Sequence, residues 1–176
     1  MRVQLHNYSV KPKVLVVDDT PENIQIVVNV LRDLNVDIYY ATNGPDALAT
    51  IIKELPDLIL LDVIMPGMNG FEVGKRVRAL KEVADIPIVF VTARNDDESI
   101  LAGFESGGQD FVSKPFNSIE LRARILTQLE LRFAYRSMME LNHKLQSQVD
   151  ELEKTIADIN SDLLFVKKQL KLHIRK

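Results

Sequence analysis

Five residues that could do chemistry stand at the ends of short apolar runs. They are Asp18, Asp19, Asp62, Thr92 and Lys114. Carboxylates that are packed together repel one another, and a hard divalent cation such as Mg2+ relieves that repulsion because it prefers oxygen ligands. A lysine and a hydroxyl beside them could bind the oxygens of a phosphoryl group. If the five share one site, they indicate transfer of a phosphoryl group to an aspartate, with the metal and the lysine offsetting the negative charge.

The apolar runs themselves predict the strands that position these residues. The runs cover residues 14–17, 38–41, 58–61, 86–91 and 110–112. Continuous apolar runs fit strands that are buried on both faces, as in a parallel sheet covered by helices. The carboxyl ends of such strands face one crevice. Any one of the five polar residues alone is typical of a helix cap or a solvated charge, but all five at the same end of one sheet predict a site.

Segments of helix length lie between the predicted strands, and each opens with a recognisable start signal. The signals are Thr20-Pro21, Asn43-Gly44-Pro45, Gly70 and the acidic run 96–98. The first of them supplies a hydroxyl cap and a proline at the first helical position. The order is five βα units. Right-handed crossovers would convert these into an α/β fold, a doubly wound five-stranded parallel sheet with helices on both faces.

The last part of the chain has a different period. No glycine or proline occurs from Asn117 to Lys176. A heptad repeat with alternating gaps of four and three comprises Leu131, Tyr135, Met138, Asn142, Leu145, Val149, Leu152, Ile156, Ile159, Leu163, Val166 and Leu170. We expect one long helix that forms a parallel coiled-coil homodimer, because β-branched a residues with leucine-rich d positions favour two strands. Asn142 falls at an a position, where a buried amide would fix the register.

Other arrangements of this segment are a trimer, an antiparallel coil, or a helix folded back on the domain. The last of these needs a turn, and the segment contains no residue that breaks helices.

Composition excludes several other classes. The 176 residues carry 22 Lys+Arg and 25 Asp+Glu, a formal net charge of −3, which excludes a nucleic-acid binder that relies on bulk positive charge. The absence of cysteine excludes disulfides, thiolate metal sites and a cysteine nucleophile. No apolar run reaches the roughly 18 residues that span a bilayer, and the first residues lack a run of signal-peptide length. We therefore expect a cytoplasmic protein with no membrane partner.

Four motifs stand in order at the predicted strand ends. They are Val17-Asp18-Asp19, the segment from Asp62 to Gly70, Val91-Thr92-Ala93, and Ser113-Lys114-Pro115-Phe116. Together they resemble the signature of bacterial response-regulator receiver domains. The resemblance covers about residues 12–128, which we expect to form a receiver domain with the flavodoxin-like fold. Residues 129–176 would then be a coiled-coil helix for dimerisation and signalling.

The resemblance implies that Asp62 accepts a phosphoryl group from the histidine of a sensor kinase. It also implies a Mg2+ ion at the acceptor. The acidic pair Asp18 and Asp19 would hold the metal, the second residue usually directly. Asp62 and the backbone carbonyl of Ile64 would complete the protein ligands.

The remaining matched residues are implied to respond to the phosphoryl group. Thr92 would turn its hydroxyl towards the phosphoryl oxygens, and Lys114 would pair with them. Phe111 occupies the position of an aromatic switch that swings inward on activation. The bond before Pro115 is usually cis in this family, and that isomer is realistic mainly before proline.

These features predict a two-component response regulator. Phosphorylation of Asp62 would change the conformation of the face that carries Phe111 and Thr92, and with it the attached coiled coil. Its partners would be a sensor histidine kinase or phosphotransfer protein, and a downstream protein or output domain that the sequence does not identify. Beyond self-catalysed phosphorylation and dephosphorylation we expect no enzyme activity. We also expect no nucleic-acid partner, because residues 126–176 carry nine Lys+Arg and seven Asp+Glu, a net of only +2.

Three other functions compete with this one. The chain could be the front of a longer regulator with a catalytic output after the coil, such as a cyclic-dinucleotide synthase or a protein phosphatase. It could be a scaffold that works without phosphorylation, which the complete acidic site disfavours. A phosphohydrolase of the haloacid-dehalogenase type would need a second aspartate two residues after its nucleophile on the first strand, and the adjacent pair Asp18-Asp19 does not match that spacing.

Overall fold

The computed structural model describes residues 11–93, 101, 103–115 and 117–174, without the side chains of residues 165 and 168–174. The strands are β1 (Lys13–Val17), β2 (Asp37–Ala41), β3 (Leu58–Asp62), β4 (Ile88–Thr92) and β5 (Asp110–Ser113). The helices between them are α1 (Pro21–Leu31), α2 (Gly44–Glu54) and α3 (Gly70–Ala79), and a C-terminal helix runs from Ser118 to Ile174. Residues 101 and 103–105 are also helical, while the predicted helix start at 96–98 lies outside the described residues.

The five strands form one parallel sheet in the order β2-β1-β3-β4-β5. All four neighbouring pairs are parallel, which confirms the predicted doubly wound sheet. Strands β3 and β4 are buried at every residue, and β1 at every residue after its first, as their continuous apolar runs require. The register places Asp62 beside Val91 and Thr92 beside Ser113, so the polar strand ends share one edge of the sheet.

Two of the predicted helix starts are capped as their residue types require. The side chain of Asn43 accepts from the N–H of Asp46, and that of Asn69 accepts from the N–H of Glu72. The predicted hydroxyl cap at Thr20 is wrong, because that side chain makes no capping bond. Its hydroxyl instead lies 3.5 Å from a carboxylate oxygen of Asp19, at the limit of hydrogen-bonding distance.

The C-terminal helix has a buried face only in its first turns. Leu121, Ile125 and Leu129 are fully buried, at the helical spacing of four residues. The described residues divide into two compact units between Arg132 and Phe133. In the second unit the helix continues without a break to Ile174; Phe133 is partly buried, and the side chains described after it are exposed. Within the described part of the chain, no helix is long and apolar enough to cross a membrane.

Candidate functional site

Three carboxylates converge where β1 and β3 end. Asp18 and Asp19 follow the last residue of β1, and Asp62 is the last residue of β3. One oxygen from each carboxylate lies within 4.8 Å of an oxygen of the other two. Asp18 and Asp62 are buried and Asp19 is exposed, so the cluster opens to solvent on one side.

Lys114 supplies the positive charge of the cluster. Its Nζ donates to Oδ2 of Asp18 and to Oδ2 of Asp62, both at 2.7 Å. Its backbone N–H donates to the carbonyl of Thr92 at 2.7 Å, which fastens the loop after β5 to the end of β4. The Lys114–Pro115 peptide bond is cis, as the resemblance implied. The ammonium therefore sits between two buried carboxylates that come from different strands.

The charges in the site do not balance. Burial raises the pKa of Asp62 above its usual value, although bonds from Lys114 and the Ile64 N–H oppose that shift. Burial acts to lower the pKa of Lys114, but its hydrogen bonds to Asp18 and Asp62 outweigh burial and raise it. Lys114 is therefore charged at neutral pH. Counted formally, the three carboxylates (−3) and the Lys114 ammonium (+1) sum to −2.

The donor set fits a hard divalent cation. Three carboxylates offer oxygen atoms at the separation that one ion can bridge, and their net negative charge favours a cation. Ile64 follows Asp62 by two residues, and its N–H donates to Oδ1 of that carboxylate at 3.2 Å. Its apolar side chain is half-exposed and takes no part in this contact.

Gly70 allows the end of β3 to approach α3. A Cβ at this position would lie 2.2 Å from the backbone carbonyl oxygen of Asp62, a distance that no side chain can adopt. The N–H of Gly70 also donates to the carbonyl of Val63 at 3.0 Å. Sequence reasoning placed Gly70 at a helix start and at the end of the Asp62 motif but missed this contact, whose signal is a glycine eight residues after Asp62.

Asn23 was also missed. It lies in the first turn of α1, and its amide Nδ2 donates to Oδ1 of Asp18 at 2.9 Å. The signal that could have identified Asn23 is its amide side chain in the first turn of the helix, five residues after Asp18. The bond fixes one carboxylate oxygen of the cluster.

Thr92 and Phe111 lie on the neighbouring strands. Thr92 is the last residue of β4 and is buried. The half-buried Phe111 ring packs between two other aromatic rings, with centroids 5.5 Å from Phe90 and 6.0 Å from Phe104. A Cβ on Gly103 would lie 2.0 Å from the Phe111 ring, so the absence of a side chain there makes room for it. The structure thus brings Asp18, Asp19, Asp62 and Lys114 into direct contact range and sets Phe111 in an aromatic stack.

A family model described as the response regulator receiver domain matches residues 14–126. The chain belongs to this family. It is a receiver of two-component signalling, as the motifs predicted.

The receiver is similar in sequence to response regulators from two bacteria. DNA-binding response regulator MtrA of Mycolicibacterium smegmatis is 39% identical over 121 residues, which cover 69% of this chain and 52% of MtrA. Response regulator PleD of Caulobacter vibrioides is 39% identical over 121 residues, which cover 68% of this chain and 27% of PleD. The chain therefore spans about half and about a quarter of these two relatives.

Solved structures show the same fold. The crystal structure of a putative response regulator from Chloroflexus aurantiacus matches with a TM-score of 0.66 at 36% identity. The match covers 69% of this chain and 99% of the Chloroflexus chain. The receiver domain of DrrB, activated with BeF3, has a TM-score of 0.63 at 31% identity, with coverage of 69% and 99%.

Replacing Asp62 by Asn should stabilise the metal-free receiver at pH 7. Because burial raises the folded-state pKa of Asp62, stability that is present while Asp62 is protonated is lost as the pH rises through that pKa. The amide removes this loss. In EDTA we expect a higher Tm for Asp62→Asn than for the wild type, by roughly 3–5 °C if the gain is about 1 kcal/mol. The difference should shrink towards pH 4.

The matched control for this comparison is Asp33→Asn, which changes an exposed carboxylate at the end of α1. Its Tm should follow the wild type at both pH values. A lower Tm for Asp62→Asn at pH 7 in EDTA would mean that the Lys114 pair outweighs burial at this site.

Proposed function

We propose that the receiver accepts a phosphoryl group on Asp62, in a reaction that requires Mg2+, from the phosphohistidine of a sensor kinase or phosphotransfer protein. One observation carries the proposal. The Asp62 carboxylate is buried at the end of β3, with one oxygen on the Lys114 ammonium and the other on the Ile64 N–H, beside two further carboxylates. Family membership supports the choice of donor.

The step forms one bond and breaks another. A carboxylate oxygen of Asp62 attacks phosphorus while the P–N bond to the donor imidazole breaks, and the imidazole nitrogen leaves with the electron pair and takes up a proton. Lys114 offers its ammonium to the oxygens of the phosphoryl group, where charge develops.

Mg2+ would be held by Asp18, Asp19, Asp62 and the backbone carbonyl of Ile64. When bound, it neutralises the excess negative charge of the site and of the phosphoryl oxygens. The exposed Asp19 lies on the open side of the cluster, where an ion arrives from solvent.

Thr92 and Phe111 would change conformation when Asp62 is phosphorylated and so transmit the change to the rest of the receiver. We propose that the Thr92 hydroxyl turns towards the phosphoryl oxygens and that Phe111 follows. Phe104 is half-exposed, and its ring contacts that of Phe111 at a tilt. A movement of Phe111 would therefore change the surface at Phe104.

Asp62→Asn should abolish labelling by acetyl phosphate in Mg2+, because an amide is a poor nucleophile and no longer an anionic ligand. Acid-stable, hydroxylamine-sensitive phosphate should be found on wild type and on Asp33→Asn, but not on Asp62→Asn. Asp19→Ala should keep the acceptor and slow the labelling. Labelling that persists in Asp62→Asn would identify another carboxylate as the acceptor.

We propose further that the second unit of the helix pairs with a second copy of the chain as a parallel coiled coil. Its apolar heptad side chains from Tyr135 to Val166 are all between 44% and 62% exposed. From residue 133 to 174 the helix is about 60 Å long at 1.5 Å per residue. Such a stripe loses its contact with water when a matching helix covers it, and Asn142 would pair with its mate.

Ile156→Asp should dissociate this dimer, because it buries a charge in the seam. The adjacent Ala157→Asp, on the outer face, is the matched control and should remain dimeric. Light scattering should give 40 kDa, two chains of 20.0 kDa each, for the wild type and the control and 20.0 kDa for Ile156→Asp. A wild type of 20.0 kDa at micromolar concentration would contradict the dimer, and a larger mass would support a higher oligomer.

A second proposal for the whole protein is that the receiver is the front of a longer regulator with a catalytic output after the coil. The observation that favours a longer chain is that the matched part makes up only 27% of PleD and 52% of MtrA; the catalytic nature of the output is a proposal that neither match supports. The length of the native reading frame decides between this arrangement and a receiver that signals through protein contacts alone.

A further inference from the structure

Asp18 is held from three directions. Its Oδ1 accepts two hydrogen bonds, from the backbone N–H of Thr20 at 3.0 Å and from the Asn23 amide at 2.9 Å. Its Oδ2 accepts from Lys114 Nζ at 2.7 Å. A carboxylate has about four lone-pair positions, two on each oxygen. Among the described residues, three of the four are therefore taken, and the fourth lies on Oδ2.

The position of Asn23 is set by α1. Its backbone N–H donates to the carbonyl of Thr20 at 3.0 Å, and the next residue, Ile24, is buried. Pro21 at the first helical position further restricts the turn. The amide is thus presented to Asp18 by an element that is itself anchored in the core.

The two sides of Asp18 differ in what they offer a cation. On the Oδ1 side both lone-pair positions receive N–H donors, so a metal would have to displace one of them. On the Oδ2 side Lys114, which also contacts Asp62, fills one position, and the other receives no donor from the described residues. If the Asn23 donor were lost, the carboxylate could rotate and exchange its oxygens, and the orientation of the ligand set would be less defined.

We infer that Asn23 is a positioning residue for the metal site: it saturates Oδ1 of Asp18 so that this carboxylate faces the cation through Oδ2 alone. The inference rests on the proposed function only in naming Mg2+ as the cation. Donors that orient a ligating carboxylate in this way typically contribute about 10- to 100-fold to metal affinity.

The test is direct Mg2+ titration by calorimetry at pH 7, together with the Mg2+ dependence of labelling by acetyl phosphate. For Asn23→Ala we expect the dissociation constant for Mg2+ to rise about 10-fold or more. The Mg2+ concentration at half-maximal labelling should rise by the same factor, and the labelling rate at saturating Mg2+ should stay within about twofold of the wild type. Asn23→Gln retains the amide and should recover part of the affinity.

Asn29→Ala is the matched control, because Asn29 lies on the same helix and its exposed side chain accepts only from Gln25 among the described contacts. It should bind Mg2+ as the wild type does. Thermal unfolding in EDTA separates folding from positioning, since a purely structural role would lower Tm in Asn23→Ala and leave the dissociation constant unchanged.

An unchanged dissociation constant in a folded Asn23→Ala overturns the inference. Failure of the proposed function looks different: wild type would bind Mg2+ and Asn23→Ala would bind it more weakly, while neither became labelled on Asp62. Absence of Mg2+ binding by the wild type at millimolar concentration would overturn both.

Discussion

The crowding of like charge at one end of the sheet is the constraint on which the rest of the site depends. Parallel strands bring Asp18, Asp19 and Asp62 together because their carboxyl ends share an edge, and burial makes ionisation of Asp62 costly. Lys114 compensates two of these carboxylates at once and reaches them from a third strand. On the proposed function, the remaining negative charge attracts the cation, and the cation together with Lys114 then offsets the charge of the phosphoryl group.

The supporting residues are neutral and small, which follows from that constraint. Gly70 lets the backbone of Asp62 lie directly against α3, and Asn23 offers a donor to Asp18 without adding charge. Another carboxylate at position 23 would increase the repulsion, and a side chain at position 70 would displace the backbone of Asp62. The C-terminal helix has two parts with different surroundings. Its first turns have a buried face at Ile125, and the part after Arg132 carries an exposed heptad stripe.

Much of this could be predicted from the sequence because it is encoded in local patterns. Continuous apolar runs identify buried parallel strands, so the position of Asp62 and Lys114 at one edge follows from topology. The contacts of Gly70 and Asn23 could not be predicted, because both residues lie at the start of a helix, where residue type alone explains them, and the contacts depend on how each helix packs against the strand end a few residues before it. The prediction of a hydroxyl cap at Thr20 was wrong. Residue type indicates that a threonine can cap a helix, but it does not indicate which nearby polar group the hydroxyl contacts.

On the proposed function, Lys114 and a bound divalent cation each supply positive charge to the same carboxylates, so that either one partly compensates for loss of the other. The most direct measurement is the Tm of Lys114→Ala and wild type in EDTA and in saturating Mg2+, with the exposed Lys53→Ala as a control. The account predicts that Lys114→Ala lowers Tm in EDTA and that Mg2+ restores most of the loss, while Lys53→Ala changes neither value. An equal loss of Tm with and without Mg2+ would contradict it.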